Sequence, residues 1–195
     1  GQGGAYFRGV PATMVCCIVV FVFQWLAFLP AFYFQTERYY DLIGSASYLC
    51  LISLALLLSG SLDVRDSVIA LLVGIWALRL GTFLFFRIKK QGRDSRFDNI
   101  KSNFWWFLMT WTLQGLWVFI TLAMALVAIT NNSKQEFGLL GLVGIAVWIF
   151  GFSFEVVADR QKTDFRRIDG NSRSFITTGL WSWSRHPNYF GEIVL

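Results

Sequence analysis

The sequence predicts an all-α fold, a polytopic transmembrane helical bundle of about five spans. Three observations carry that expectation. Of 195 residues, 55% are hydrophobic and only 15% charged, with a mean hydropathy of +0.53, whereas soluble domains carry about a quarter charged residues. The apolar residues gather into five runs, each near the roughly 20 residues that a helix needs to cross a bilayer. The basic residues, finally, fall unevenly between the links that join those runs.

Val10 to Phe34 is broken by one strongly polar residue, Gln24. It is too long for a signal-peptide core and no small-residue cleavage pattern follows it, so it reads as a span, with Pro30 kinking its far end. The polar link QTERYYD, Gln35 to Asp41, leads to Leu42 to Ser59, which the breaker Ser59-Gly60-Ser61 ends. Ser67 to Ile88 carries Arg79 inside it, roughly 9 residues or about 13 Å of helix from its end, and the loop KKQGRDSRFDNIKSN follows. Asn103 to Thr130 opens with Trp105 and Trp106, the residues of an interfacial belt. Gly138 to Val157 is the fifth run, with Glu155 in its last turn. Ala158 to Lys162 extends it as a polar helix, and Thr163 to Thr178 reads as a surface loop. The chain opens at Gly1 and stops at Leu195 as another apolar segment begins, so a piece of a longer protein is expected, with a further span beyond residue 195. Residues 1–195 read as a single integral membrane domain.

Five spans put the amino terminus and the links near Asp63 and Lys134 on one side. That side holds three basic residues and the opposite side thirteen, with Arg79 inside the membrane. The bias makes the amino terminus lumenal or external and the basic loops cytosolic. Topology, with attraction to anionic lipid heads, accounts for the net charge of +5, and no nucleic-acid partner is implied. Cys16, Cys17 and Cys50 lie inside apolar runs and none has metal-ligand spacing with the single histidine, so neither disulfides nor a metal site is expected.

The stretch richest in chemistry is GLWSWSRHPNYFGE, Gly179 to Glu192. Arg185, His186, Asn188, Tyr189 and Glu192 crowd into eight positions beside Trp181 and Trp183. Pro187 suits a first helical turn, which places Arg185 and His186 just before a positive helix end that attracts anions. A loop entering a membrane helix, with interfacial tryptophans and a snorkelling arginine, accounts for the same residues. His186 alone is more often a structural hydrogen bonder than a catalyst. Arg79 is a functional cation, or it snorkels or pairs with Glu155 or Asp159. Gln24 and Gln114 read as interhelical hydrogen-bond formers. The group Glu37, Tyr39, Tyr40 and Asp41 is either a solvated turn or a carboxylate holding a tyrosine ready to donate a proton.

GLWSWSRHPNYFGE, preceded by ADRQKTDF at Ala158 to Phe165, resembles the membrane reductases that carry a steroid 5-alpha reductase C-terminal domain. QTERYYDLIGS at Gln35 to Ser45 and RLGTFLFFRIKKQGRDSRFD at Arg79 to Asp98 are similar to the same family, so four motifs in order cover nearly the whole chain. The wider group includes sterol reductases and isoprenylcysteine carboxyl methyltransferases. The resemblance implies an integral membrane enzyme of the endoplasmic reticulum that takes NADPH from the cytosol and reduces a carbon–carbon double bond beside a carbonyl in a hydrophobic, steroid- or lipid-like substrate. It makes residues 158–195 a cytosolic cofactor-binding segment, which a later span completes. Asn188, Gly191 and Glu192 match the family's Asn-x-x-Gly-Glu pattern at the cofactor, and Asp159 and Arg166 match an acid and an arginine at the end of the fifth span. Gly92 and Arg93 look like its Gly-Arg pair. Glu37 and Tyr40 stand nearest to its substrate-side glutamate and tyrosine.

The residues suit this chemistry in their own right. Arg93, Arg96, Arg160, Arg166 and Arg185 can neutralise phosphates, while aromatic walls and amides such as Asn188 can orient a nicotinamide. Charge developing on a substrate carbonyl needs a donor, for which Tyr40, Tyr189 and His186 qualify. Taken with the resemblance, this makes Glu37, Tyr40 and His186 the expected catalytic set. The expected cofactor set is Arg93, Arg96, Asp159, Arg166, Arg185, Asn188, Tyr189 and Glu192. Two other readings stay open: methyl transfer from S-adenosylmethionine to a lipid or isoprenylcysteine on the same scaffold, and a non-catalytic membrane scaffold or lipid-binding protein.

Overall fold

The computed structural model describes residues 4–60, 62–92, 94–133, 136–168 and 174–195, apart from the side chains of residues 91 and 95. A two-stranded antiparallel hairpin, β1 (Tyr6–Phe7) and β2 (Val10–Pro11), precedes six α-helices: α1 Ala12–Tyr33, α2 Tyr40–Leu58, α3 Val64–Gln91, α4 Phe104–Thr130, α5 Leu139–Arg167 and α6 Pro187–Val194. Helices α1 to α5 are long and apolar enough to cross a membrane, so the expected all-α polytopic bundle stands and the protein is an integral membrane protein. The chain divides into two compact units, Gly1–Gln135 and Glu136–Leu195.

The first unit is a bundle of α1 to α4, with α1 packed on α4 and α2, and α2 also on α3 and α4. Each buried stripe follows helical spacing: Cys16, Val20, Gln24, Phe28 and Ala31 in α1, and Trp111, Gly115, Val118, Leu122 and Leu126 in α4. The opposite faces show large apolar side chains such as Trp25, Leu29, Trp117 and Met124. In a soluble protein these would be a liability; against lipid tails they are matched, and close packing and interhelical hydrogen bonds hold the helices together instead. Both glutamines expected to bridge helices do so. Gln24 Nε2 donates to Ser47 Oγ at 2.9 Å, and Gln114 Nε2 donates to the Tyr40 carbonyl at 3.2 Å.

The two ends of this bundle are finished differently. At one, the Ala5 N–H donates to the Thr130 carbonyl at 2.6 Å, tying the hairpin to the last turn of α4. On the same side a capping box opens α3, with the Asp66 N–H donating to Asp63 Oδ1 at 2.8 Å and the Asp63 N–H to Asp66 Oδ2 at 3.3 Å. At the other end, α1 stops in a Schellman motif: Thr36 N–H donates to the Ala31 carbonyl and Gln35 N–H to that of Phe32, at 2.9 and 3.2 Å. The motif needs a left-handed residue, and Gln35 supplies it at φ 51°. The loop after α3 is anchored by Phe97, which joins Phe28, Ala31, Phe107 and Trp111 in an aromatic core. Asn103 then caps α4 through the Trp105 and Trp106 N–H groups, both 3.1 Å from its Oδ1.

In the second unit α5 outruns its apolar segment. The expected loop from Thr163 begins only after Arg167, because Thr163 Oγ1 donates to the Asp159 carbonyl at 2.8 Å and Asp164 pairs with Arg160 and Arg167 at 3.7 and 3.1 Å along the helix. A short 3-10 turn, Gly179–Ser182, then leads to α6, which packs along α5.

Candidate functional site

The second unit holds most of the expected cofactor set. At about 100° per residue, Gly151, Glu155, Asp159, Lys162 and Arg166 share one face of α5, and that face meets α6 and the turn before it. The meeting is made through glycine. A Cβ on Gly191 would lie 2.6 Å from the Glu155 nitrogen and 2.7 Å from the Gly151 oxygen, and one on Gly151 would lie 2.8 Å from the Gly191 oxygen. Backbone touches backbone there, and Glu155 and Asp159 are buried beside the contact.

The turn before α6 is pinned from α5 as well. Trp181 Nε1 donates to the Ala158 carbonyl at 3.0 Å, Leu180 N–H donates to Gln161 Oε1 at 3.0 Å, and the Lys162 ammonium sits 4.7 Å from the centre of the Trp181 ring. Gly179 lies at φ 61°, where a Cβ would also strike the Gln161 amide at 2.6 Å. These contacts set where α6 starts. Pro187 occupies its first turn, as expected, with His186 at the N-cap.

On α6, Asn188 and Glu192 stand one turn apart on the same face. Burial raises the Glu192 carboxyl above its ordinary value, and the charge of Asp159 adds to the effect. Asn188 Oδ1 is buried and has no hydrogen-bond partner among the described residues, an expensive arrangement unless a ligand completes it. His186 and Tyr189 are exposed and stack at 5.2 Å with an interplanar angle of 12°. Arg166 and Arg185 are exposed, and neither forms an ion pair among the described residues.

The remaining expected residues lie in the first unit, at the end formed by the 34–39 link and the loop after α3. Glu37 is buried and held on both oxygens: Lys101 Nζ donates to Oε2 at 2.9 Å and the Asp94 N–H to Oε1 at 3.1 Å. Burial alone would raise its pKa, but these partners outweigh that and hold the carboxyl below its ordinary value. Within the link Glu37 is thus clamped rather than solvated, while Gln35, Arg38 and Tyr39 are exposed. Tyr40 donates its hydroxyl to the Thr110 carbonyl at 2.9 Å. Arg96 grips Asp94, with Nε 3.0 and 2.9 Å from the two oxygens, and lies 3.5 Å from Asp41, which Arg87 approaches at 3.6 Å. Burial again opposes ionisation of Asp94, yet Arg96 keeps that carboxyl below its usual range, and Asp94 in turn raises Arg96. Arg93 lies outside the described residues. Arg79, deep in α3, stacks its guanidinium 5.2 Å from the Phe83 ring centre.

Sequence reasoning missed Lys101 and Asp94 as the partners of Glu37, and Gln161 and Lys162 as the clamp on the turn before α6. Lys162 carries a faint signal, since it continues the Glu155 and Asp159 face by helical spacing; Gln161, which lies off that face, and pairings across 57 and 64 positions carry none.

Residues 16–195 match a family described only as proteins of unknown function, DUF1295. The chain belongs to the DUF1295 family. It is also similar to an uncharacterized protein of Schizosaccharomyces pombe, at 22% identity over 156 residues, which is 66% of this chain and 45% of that protein. The chain thus spans less than half the length of the curated relative it matches. No solved structure matches it. The DUF1295 match runs through α1 to α6 and takes in both sets of residues described above.

Proposed function

We propose that this chain belongs to a membrane-embedded, NADPH-dependent reductase of an activated carbon–carbon double bond in a steroid- or lipid-like substrate. The observation that carries the reading is the buried, unpartnered Asn188 oxygen one turn from Glu192, on a helix locked to α5 through Gly151 and Gly191. The steroid 5-alpha reductase-like motifs occupy these same positions, and the clamped geometry explains why such motifs need glycine there. The residues fit the cofactor: Asn188 offers an acceptor for a carboxamide N–H, and Arg166 and Arg185 are cations available to phosphates. Asp159, Glu192 and Tyr189 would frame the same group. Bound NADPH would supply the hydride.

For the accompanying proton, Tyr40 is already committed to Thr110, so the exposed His186 and Tyr189 are the better-placed donors. Glu37 acts in this reading as a structural anion that holds the loop after α3. The basic links face the cytosol, and the endoplasmic reticulum is the compartment that the motifs imply. The test is NADPH affinity and NADPH oxidation by the complete protein across a panel of hydrophobic enones. Asn188→Ala and Arg166→Ala should each weaken NADPH binding without unfolding the protein, and unchanged affinity in both would sink the assignment.

One observation favours a second reading. Glu155, Asp159 and Glu192 bring carboxylates to the contact between α5 and α6, which suits the sulfonium and ammonium charges of S-adenosylmethionine better than phosphates. Titrating both cofactors separates the two readings, since tight S-adenosylmethionine binding without NADPH binding selects the methyltransferase.

A further inference from the structure

The first unit has a cleft of about 500 Å³ at the end where α1 gives way to α2, within the 300–1,000 Å³ range of small-molecule sites. Its lining includes Gln35, Thr36, Glu37, Arg38, Gly92 and Lys101. Two cations face one carboxylate, so the lining carries a net positive charge. Lys101 spends one N–H on Glu37 and an ammonium has three. Arg38 is exposed and forms no ion pair among the described residues.

The walls are built before any ligand arrives. The Schellman motif fixes the backbone from Ala31 to Thr36, with Gln35 held left-handed at a cost. Glu37 is clamped by Lys101 and the Asp94 N–H. A Cβ on Gly92 would meet nothing within 4 Å, so that side is open space. Phe34 and Tyr39, exposed at 71% and 55%, also line the cleft, and Tyr33 in the last turn of α1 and Trp105 and Trp106 in the first turn of α4 are exposed as well. Exposed aromatics at helix ends mark the depth of the lipid headgroups, where phosphates are concentrated.

We propose that this cleft is a phosphate-binding site, with Arg38 and Lys101 as its cations. The phosphate comes from a lipid headgroup at the membrane surface or from solution, and the chemistry of recognition is shared. The experiment uses the full chain reconstituted in phosphatidylcholine nanodiscs, with phosphatidic acid as the probe and retained lipid read by native mass spectrometry. Arg38→Gln should lower the apparent affinity for phosphatidic acid about ten-fold, as expected for loss of one charge-assisted contact, and Arg38→Lys should recover most of it. Arg8→Gln, in the hairpin at the other end of the unit, should leave it unchanged. Displacement by millimolar inorganic phosphate assigns the site to a free phosphate, and retention against it assigns the site to a headgroup. Equal binding by the wild type and Arg38→Gln, or an equal loss in Arg8→Gln, overturns the proposal.

Discussion

Glu37 and Lys101 are 64 positions apart in the chain and 2.9 Å apart in space, and the carboxylate side of the pair is only 3% exposed. Together with the Asp94 N–H, the pair fastens the loop between α3 and α4 to the link between α1 and α2. Removing one charge strands the other. Glu37→Gln should destabilise the first unit by about 2 kcal/mol, the low side for a broken buried pair because Lys101 keeps some access to water. Thermal unfolding in detergent, compared with Glu37→Gln/Lys101→Met, measures it; the double variant should recover part of the loss.

The same anions set an acid limit. Glu37 and Asp94 both titrate below their ordinary values of 4.5 and 3.8 in the folded protein. Their contribution to stability is therefore complete above those values and fades as the pH falls through the lower, folded ones. The midpoint of unfolding should fall steeply with acid in the wild type and less so in Glu37→Gln.

Glu192 should behave with the opposite sign. Its carboxyl is raised above 4.5 by burial and by Asp159, so it favours the folded state when protonated, and that support drains away as the pH rises through the raised value. Glu192→Gln should flatten the stability profile above pH 4.5. A profile as steep as the wild type's would show that Glu192 is not the group responsible.

Glycine at the α5–α6 contact is a sharper test. Gly191→Ala places a methyl 2.6 Å from a backbone nitrogen that cannot step aside, and should cost 3 kcal/mol or more, on the order of severe overpacking. Gly144→Ala, on a stretch of α5 where a Cβ meets nothing, should be neutral or stabilise by up to about 1 kcal/mol through helix propensity. Limited proteolysis of the α5–α6 segment distinguishes them, and equal resistance in the two variants would refute the close crossing.

Gln35 is the converse case. It holds a left-handed conformation at φ 51° that glycine adopts freely. Gln35→Gly should raise stability by roughly 0.5–1 kcal/mol, read as a higher unfolding midpoint, unless the bond from its amide to the Phe32 carbonyl at 2.7 Å is worth more than the strain.

The spans were legible because twenty-residue apolar runs need no partner to be recognised, and Pro187 announced the start of α6 through its missing N–H. Gln24 and Gln114 were legible for a related reason, since an amide inside an apolar run must find a neighbouring helix. The end of α5 was not legible. Its last turns are polar throughout, and what keeps them helical is a set of short-range pairs around Asp164 that composition does not separate from a loop. The partners of Glu37 and Tyr40 were hidden more deeply. Whether a carboxylate is solvated or clamped depends on Lys101 and Asp94, and whether a phenol is free depends on the Thr110 carbonyl, and neither partner lies near it in sequence.

The direct abutment of Gly151 and Gly191 leaves no cushion of side-chain atoms to absorb a change of register. Adding or deleting one residue between His186 and Gly191 would turn the helix by a quarter of a rotation or more and bring a bulky neighbour into the notch. The count from Pro187 to Gly191 is thereby frozen, and with it the bearing of Asn188 relative to the buried acids of α5. An insertion in the first turn of α6 would therefore carry Asn188 and Glu192 off that bearing together.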